Sequence, residues 1–244
     1  MRIIDYYNYA ALLINIILTG IAVYLFLRNR KNADPAGTGT VSDPVHGLLS
    51  GYDQYSLLKT ISLLLLLGLG TFLRFYQIGL VPNGLQQDEA SIGYEAYCLA
   101  NFGTDRNGYV YPVYPITWGS GGGSPILIYL NVITTKLFGS NVFALRFVPA
   151  FLGSLTLLLF YLLVRRIWNQ KTALAALAVL ALAPWHIILS RWSLDSNTMP
   201  FWLCLATLLF LYALHSQKTW QFCLAAAAYS LCLYILTSRV FDTQ

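Results

Sequence analysis

A chain of 244 residues that is 57% hydrophobic and 10% charged, with mean hydropathy +0.59, lacks the polar surface a water-soluble domain needs, since such domains carry roughly 25% charged residues. The net charge of +5 and pI near 9.0 do not mark a nucleic-acid binder, because the basic residues stand at the ends of apolar blocks, as membrane topology requires. The four cysteines have neither CxxC nor Cys/His ligand spacing and read as small buried hydrophobes.

The apolar blocks are long enough, or nearly so, to cross a hydrocarbon core of about 30 Å. The first runs from Tyr9 to Leu27. Arg2 precedes it, but Asp5, the tyrosines and the lack of a small-x-small site before Arg28 argue for an uncleaved anchor over residues 1–31. Arg28, Arg30 and Lys31 then mark the cytoplasmic side. Residues 32–56, rich in Gly, Asp, Pro and Ser, read as a cytoplasmic linker. Leu57 to Leu73 runs outward from Lys59, so the chain after Arg74 emerges outside.

The outer loop opens with a predicted helix from Asp88, with Asp88 as its amino cap, Glu89 favoured by the helix dipole and Gly103 closing it. Gly119 to Ser124 is a glycine-rich connector without the Gly-Lys-Ser/Thr of a phosphate loop. Pro125 to Phe138 is apolar but short and contains Lys136, which predicts a helix lying at the interface. Val142 to Val164 returns inward to Arg165, Arg166 and Lys171. Ala173 to Ser190 runs outward, Met199 to Leu214 returns to Lys218, and Trp220 to Thr237 runs outward to Arg239. The predicted fold is an all-α, multi-pass transmembrane bundle with interfacial helices in its first large outer loop.

This path collects Asp88, Glu89, Glu95, Asp105 and Asp195 on one side. Ordinary explanations exist for each group. Asp88 and Glu89 suit a helix start, and Arg191 and Asp195 have the i, i+4 spacing of a helical ion pair. His186 suits the interface, Arg146 and Arg239 can snorkel, and the outer tryptophans form an aromatic belt. The functional reading rests on convergence. Carboxylates arriving at the interface from separate helices can meet a substrate whose tail is in lipid and whose head is in water. A lipid phosphate needs cations at that depth, and Arg146, Arg191 and Arg239 are the candidates.

The order of these residues resembles the GT-C glycosyltransferases, in particular the family containing protein O-mannosyltransferases and aminoarabinose lipid A transferases. The resemblance rests on Asp88-Glu89, on Phe138-Gly139-Ser140-Asn141 leading to Leu145-Arg146-Phe147-Val148-Pro149, on Tyr161 to Arg166, and on Pro184-Trp185-His186 running to Ser190-Arg191 and Asp195. It covers roughly Leu57 to the end. It implies inverting transfer of a sugar from a polyprenyl-phosphate carrier to a protein, glycan or lipid acceptor, on the extracytoplasmic side of the cell membrane. Asp88 would be the general base and Glu89 would orient the reactants. Asp195 would line the same cavity, in some relatives beside a divalent metal, so metal dependence stays open here. His186 and the three arginines would complete substrate binding. Where many relatives carry a lysine before the proline of the interfacial helix, this chain has Ser124. Relatives are longer, so residues 57–244 read as the amino-terminal part of the domain. A transporter component or a noncatalytic membrane scaffold are the competing classes, and Asp88→Asn separates them from an enzyme.

Overall fold

Residues 54–117 and 123–237 are described by a computed structural model. The expected first anchor, its linker up to Asp53, Trp118, Gly119 to Gly122 and Arg239 lie outside the described residues, while residues 54–56, expected in the linker, already belong to the first described helix. The described chain is helical, with one isolated bridge between Thr104 and Val110.

Local sequence explains most helix ends. Helix α1 spans Gln54–Phe75. Helix α2 spans Gln87–Phe102 and closes at Gly103, whose φ of 69° suits glycine. Its amino cap is Gln86, whose side-chain oxygen accepts from the backbone N–H groups of Asp88 and Glu89. Asp88 is therefore not the cap; the helix begins earlier, and the Asp88 side chain is left exposed. Helix α3 spans Pro125–Phe138, with a proline in its first turn. Helix α4, Val142–Ile167, starts at Asn141, whose side chain accepts from Ala144 N–H at 2.8 Å. Helix α5, Gln170–Leu182, starts the same way at Asn169, which accepts from Thr172 N–H at 2.9 Å.

The expected span Ala173 to Ser190 is divided. Pro184 has no N–H to give and its ring collides with the preceding turn, so α5 stops at Leu182 and a short α6, Pro184–Leu189, begins. A 3-10 turn, Asp195–Thr198, leads into α7, Met199–Ser216, which Gln217 joins to α8, Thr219–Thr237. Leu58–Phe75, Val142–Ile167 and Asp195–Ser216 are long and apolar enough to cross a membrane; α3, α5 and α8 are shorter apolar helices.

Helix α4 is the central element, packing on α1, α3, α5 and α7. Its first turns, through Leu145, Val148 and Leu152, meet Ile92 and Leu99 of α2 and Leu127 and Ile128 of α3. Its later turns, through Leu157, Tyr161 and Val164, meet Leu63 of α1 and Ala173, Leu177 and Ala181 of α5. Large apolar side chains such as Leu64, Leu65, Val179 and Leu233 face outward, the reverse of a protein built for water. With lipid as solvent, close approach holds helices together. A Cβ on Gly70 would lie 2.5 Å from Leu157 Cδ1 and 3.2 Å from Ala181 Cβ, and one on Gly153 would overlap the Ser190 side chain.

Two ends follow from this packing. Arg166 lies over the Tyr212 ring, 5.4 Å from its centre, so the carboxy-terminal turns of α4 and α7 share one end. Phe75 at the end of α1 meets Phe147 near the start of α4, with ring centres 5.5 Å apart, at the other.

Candidate functional site

At that second end, Arg146 is the anchor. It is fully buried, and a guanidinium has five N–H donors. The Nε group donates to Glu89 Oε1 at 2.8 Å, and one terminal nitrogen donates to Ile78 O at 3.3 Å and Pro82 O at 2.7 Å. The other terminal nitrogen donates to Gly84 O at 2.6 Å and Glu89 Oε2 at 3.0 Å. All five are engaged. Helix α4 supplies the cation, α2 the carboxylate, and the connection between α1 and α2 the carbonyls.

Glu89 is also fully buried, and beyond Arg146 its Oε1 accepts from Ser193 N–H at 3.3 Å. Ser193 Oγ in turn accepts from Asn131 Nδ2 of α3 at 3.2 Å. A buried charge is tolerated only when paired and hydrogen-bonded, and this arrangement meets both conditions. Neighbouring helical residues point in different directions, so Glu89 faces the core while Asp88 faces out.

Arg191 sits across from this pair. It donates to Leu73 O at 2.8 Å, Tyr76 O at 2.6 Å and Val81 O at 3.2 and 2.8 Å, capping the end of α1 and fastening the turn that follows it. The i, i+4 pair expected with Asp195 assumes a helix, but the chain between them turns out of helix after α6, and Arg191 reaches back to α1 instead. Burial, and secondarily the nearby Arg146 charge, push the Arg191 guanidinium below its ordinary value. Asp195 is buried at the start of the 3-10 turn, two positions from Ser193, with Thr198 Oγ donating to its carbonyl at 3.0 Å.

His186 is buried inside the bundle and meets a cation. Arg74 places a terminal nitrogen 2.7 Å from His186 Nδ1, so Nδ1 is the unprotonated acceptor. The same guanidinium donates to Gly70 O at 2.7 Å and to Leu180 O and Ala181 O at 3.4 Å, so it serves carbonyls left open where Pro184 ends α5. Glu95, on α2, and Asp105, in the loop after it, serve that loop. Glu95 binds the Arg106 side chain and accepts from Arg106 N–H at 3.1 Å, while Asp105 Oδ1 accepts from the N–H groups of Asn107 at 2.9 Å and Tyr109 at 2.8 Å. Tyr129 Oη donates to Pro112 O at 2.7 Å, and burial, followed by the Asp105 charge, raises its pKa.

The structure thus brings Glu89 and Arg146 together, with Asp88 next to Glu89 and Asp195 close along the chain to Ser193. It sets His186 apart with Arg74, and it gives Arg146 and Arg191 protein oxygens as partners. Sequence reasoning missed Arg74, Asn131 and Ser193. A signal for Arg74 and Arg146 did exist: an arginine at the mouth of an apolar span must find a partner. Nothing local named that partner. Among the described residues no group of three or more His, Cys, Asp or Glu stands together as a metal-binding set.

Residues 123–240 match the family described as dolichyl-phosphate-mannose-protein mannosyltransferase. An uncharacterized protein of Aquifex aeolicus (strain VF5) is 34% identical over 108 residues, which is 44% of this chain and 22% of that protein. The chain thus matches about a fifth of that relative's length. The family match includes Arg146, His186, Arg191 and Asp195; Asp88 and Glu89 precede it.

Proposed function

We propose that this chain belongs to a multi-pass cell-membrane glycosyltransferase. It moves a sugar from a polyprenyl-phosphate carrier to an acceptor hydroxyl on the extracytoplasmic side. The observation that carries the reading is an exposed carboxylate, Asp88, on a helix start fixed by the buried Glu89–Arg146 pair. The family match over residues 123–240 supports the same class.

In this mechanism Asp88 accepts the acceptor hydroxyl proton as that oxygen attacks the anomeric carbon. The carbon–oxygen bond to phosphate breaks on the opposite face, which inverts the centre and releases the lipid phosphate as an anion. Glu89 has both oxygens engaged and serves as framework, holding α2 against α4. Asp195 contributes to the substrate wall. A leaving phosphate needs positive charge more than a proton. Arg146 has no N–H left for it and Arg191 caps α1, so of the three candidate arginines Arg239 takes that contact. The acceptor is a hydroxyl of a protein, a glycan or a lipid.

Two features support the outer location. The basic turns at Arg165, Arg166 and Lys171 mark the cytoplasmic side, and Arg166 is at the end of α4 away from Arg146. Helix α3 packs on α2 and on the first turns of α4 rather than along its length, as a helix at the interface would. Acids gathered at one end also fit a transporter poorly, since coupling sites there lie near the midplane.

The test is Asp88→Asn in the full-length protein, reconstituted with polyprenyl-phosphate mannose and polyprenyl-phosphate glucose as donors. Loss of a general base lowers transfer by about 10²–10⁴-fold. Unchanged transfer by a folded variant refutes the assignment.

A further inference from the structure

Asn131 is a polar residue on the core face of α3, wholly buried among Leu127, Ile128 and Val132. Burying an amide without partners is costly. Here Nδ2 donates to Ser193 Oγ at 3.2 Å, while Thr134 Oγ donates to Asn131 O at 3.1 Å and to its Oδ1 at 3.5 Å. Ser193 is itself wholly buried and donates its backbone N–H to Glu89 Oε1 at 3.3 Å. A continuous polar line therefore runs Asn131–Ser193–Glu89–Arg146, from α3 through the segment after α6 to α2 and α4.

Ser193 stands between Arg191, which is fastened to the end of α1, and Asp195, which opens the 3-10 turn. Its backbone reaches Glu89 and its side chain reaches Asn131. Leucine at 131 would fill a comparable volume without any desolvation cost, so core packing alone does not call for an amide there. The amide does supply direction: it holds the Ser193 side chain and with it the turn that carries Asp195.

We propose that Asn131 is a positioning residue for sugar-donor binding, acting through Ser193 to set the Asp195 segment against the Asp88–Glu89 end of α2. It touches no substrate. This rests on the glycosyltransferase reading above, and it adds a residue on the interfacial helix that neither helix capping nor a carboxylate role accounts for.

The experiment measures transfer kinetics of the full-length protein in reconstituted membranes, with polyprenyl-phosphate mannose and polyprenyl-phosphate glucose as donors. Asn131→Ala is expected to raise the donor KM about tenfold, the scale of one lost hydrogen bond, with kcat within about twofold. Ser193→Ala keeps the backbone bond to Glu89 and should reproduce the effect, Ser193→Thr should restore most of it, and the double alanine variant should be no worse than either single one. A purely structural role would reduce the folded fraction, lowering apparent kcat with KM unchanged, and that result overturns the proposal. If Asn131→Ala does not fold, the Ser193→Ala and Ser193→Thr pair decides alone. Wild-type protein that transfers neither sugar overturns the glycosyltransferase reading and this proposal together. Wild-type transfer with an unaltered donor KM in the variants overturns this proposal alone.

Discussion

Basic residues stand at both ends of the bundle and live in opposite surroundings. At one end Arg74, Arg146 and Arg191 are buried, each donating to backbone carbonyls. At the other, Lys171 and Lys218 are exposed and Arg165 and Arg166 are only partly covered, with Arg166 lying over Tyr212. The first end is where helices stop early: α1 ends, α5 breaks at Pro184, and the chain loops between α1 and α2. Open carbonyls there need donors that water would otherwise supply, and buried guanidinium groups provide them. The second end has tight capped turns and needs no such repair, so its charges are left to orient the chain. The same residue type is structural glue at one end and a topological signal at the other.

The sharpest way to break this comparison is to ask which side each end faces. In a cysteine-free background, Ser196→Cys should react with an impermeant maleimide added outside intact cells, whereas Lys218→Cys should react only after permeabilisation. The reverse pattern would place the acids in the cytosol and remove the proposed sugar-transfer chamber.

Stability should separate the two ends next. Arg146→Met leaves Glu89 buried without its cation and should cost about 3–5 kcal/mol, enough to abolish the folded state in a detergent thermal melt. Arg165→Gln at the other end should stay within about 0.5 kcal/mol. Equal losses would mean that the buried pair is not what holds α2 to α4.

Close packing gives a smaller contrast. Gly153→Ala pushes into Ser190 and should destabilise by about 1–3 kcal/mol. Gly68→Ala, with nothing within 4 Å of the added carbon, should be neutral or stabilise its helix by about 0.5–1 kcal/mol. Smaller than the Gly153 effect is that of Arg166→Gln, which removes the contact with Tyr212 and should cost about 0.5–1 kcal/mol in the same melt.

Much of the fold was legible because its signals are local. Block length located Leu58–Phe75, Val142–Ile167 and the span of α7, and Gly103 marked the end of α2. Besides the Arg191–Asp195 pair, two further local readings needed correction. Pro184 was inside a block read as one span, since apolar composition outweighed the missing N–H in that reading, but hydrogen-bond geometry prevails in the folded chain. Gln86 took the cap in place of Asp88, because the helix starts two residues earlier and the Gln86 side chain reaches the N–H groups of Asp88 and Glu89.

The site was legible only in part. Asp88 and Glu89 were conspicuous as adjacent acids, but their division of labour was not, since it depends on which one meets Arg146 across the bundle. Arg146 and Arg191 were read as cations for a phosphate because sequence displays a charge and hides its partners. Asn131 and Ser193 carried no signal, being common residues without a motif.

Sequence by itself determined that this is a helical membrane protein, roughly where its helices run, and which few ionisable residues face a common end. Those properties depend on composition and near-neighbour order, which a linear chain displays directly. Tertiary structure alone decided that Glu89 is locked against Arg146 while Asp88 stays open, that Arg74 meets His186, and that Asn131 reaches Ser193. A buried polar group must be satisfied wherever a partner lies in space, and burial is a property of the packed helices rather than of any one segment.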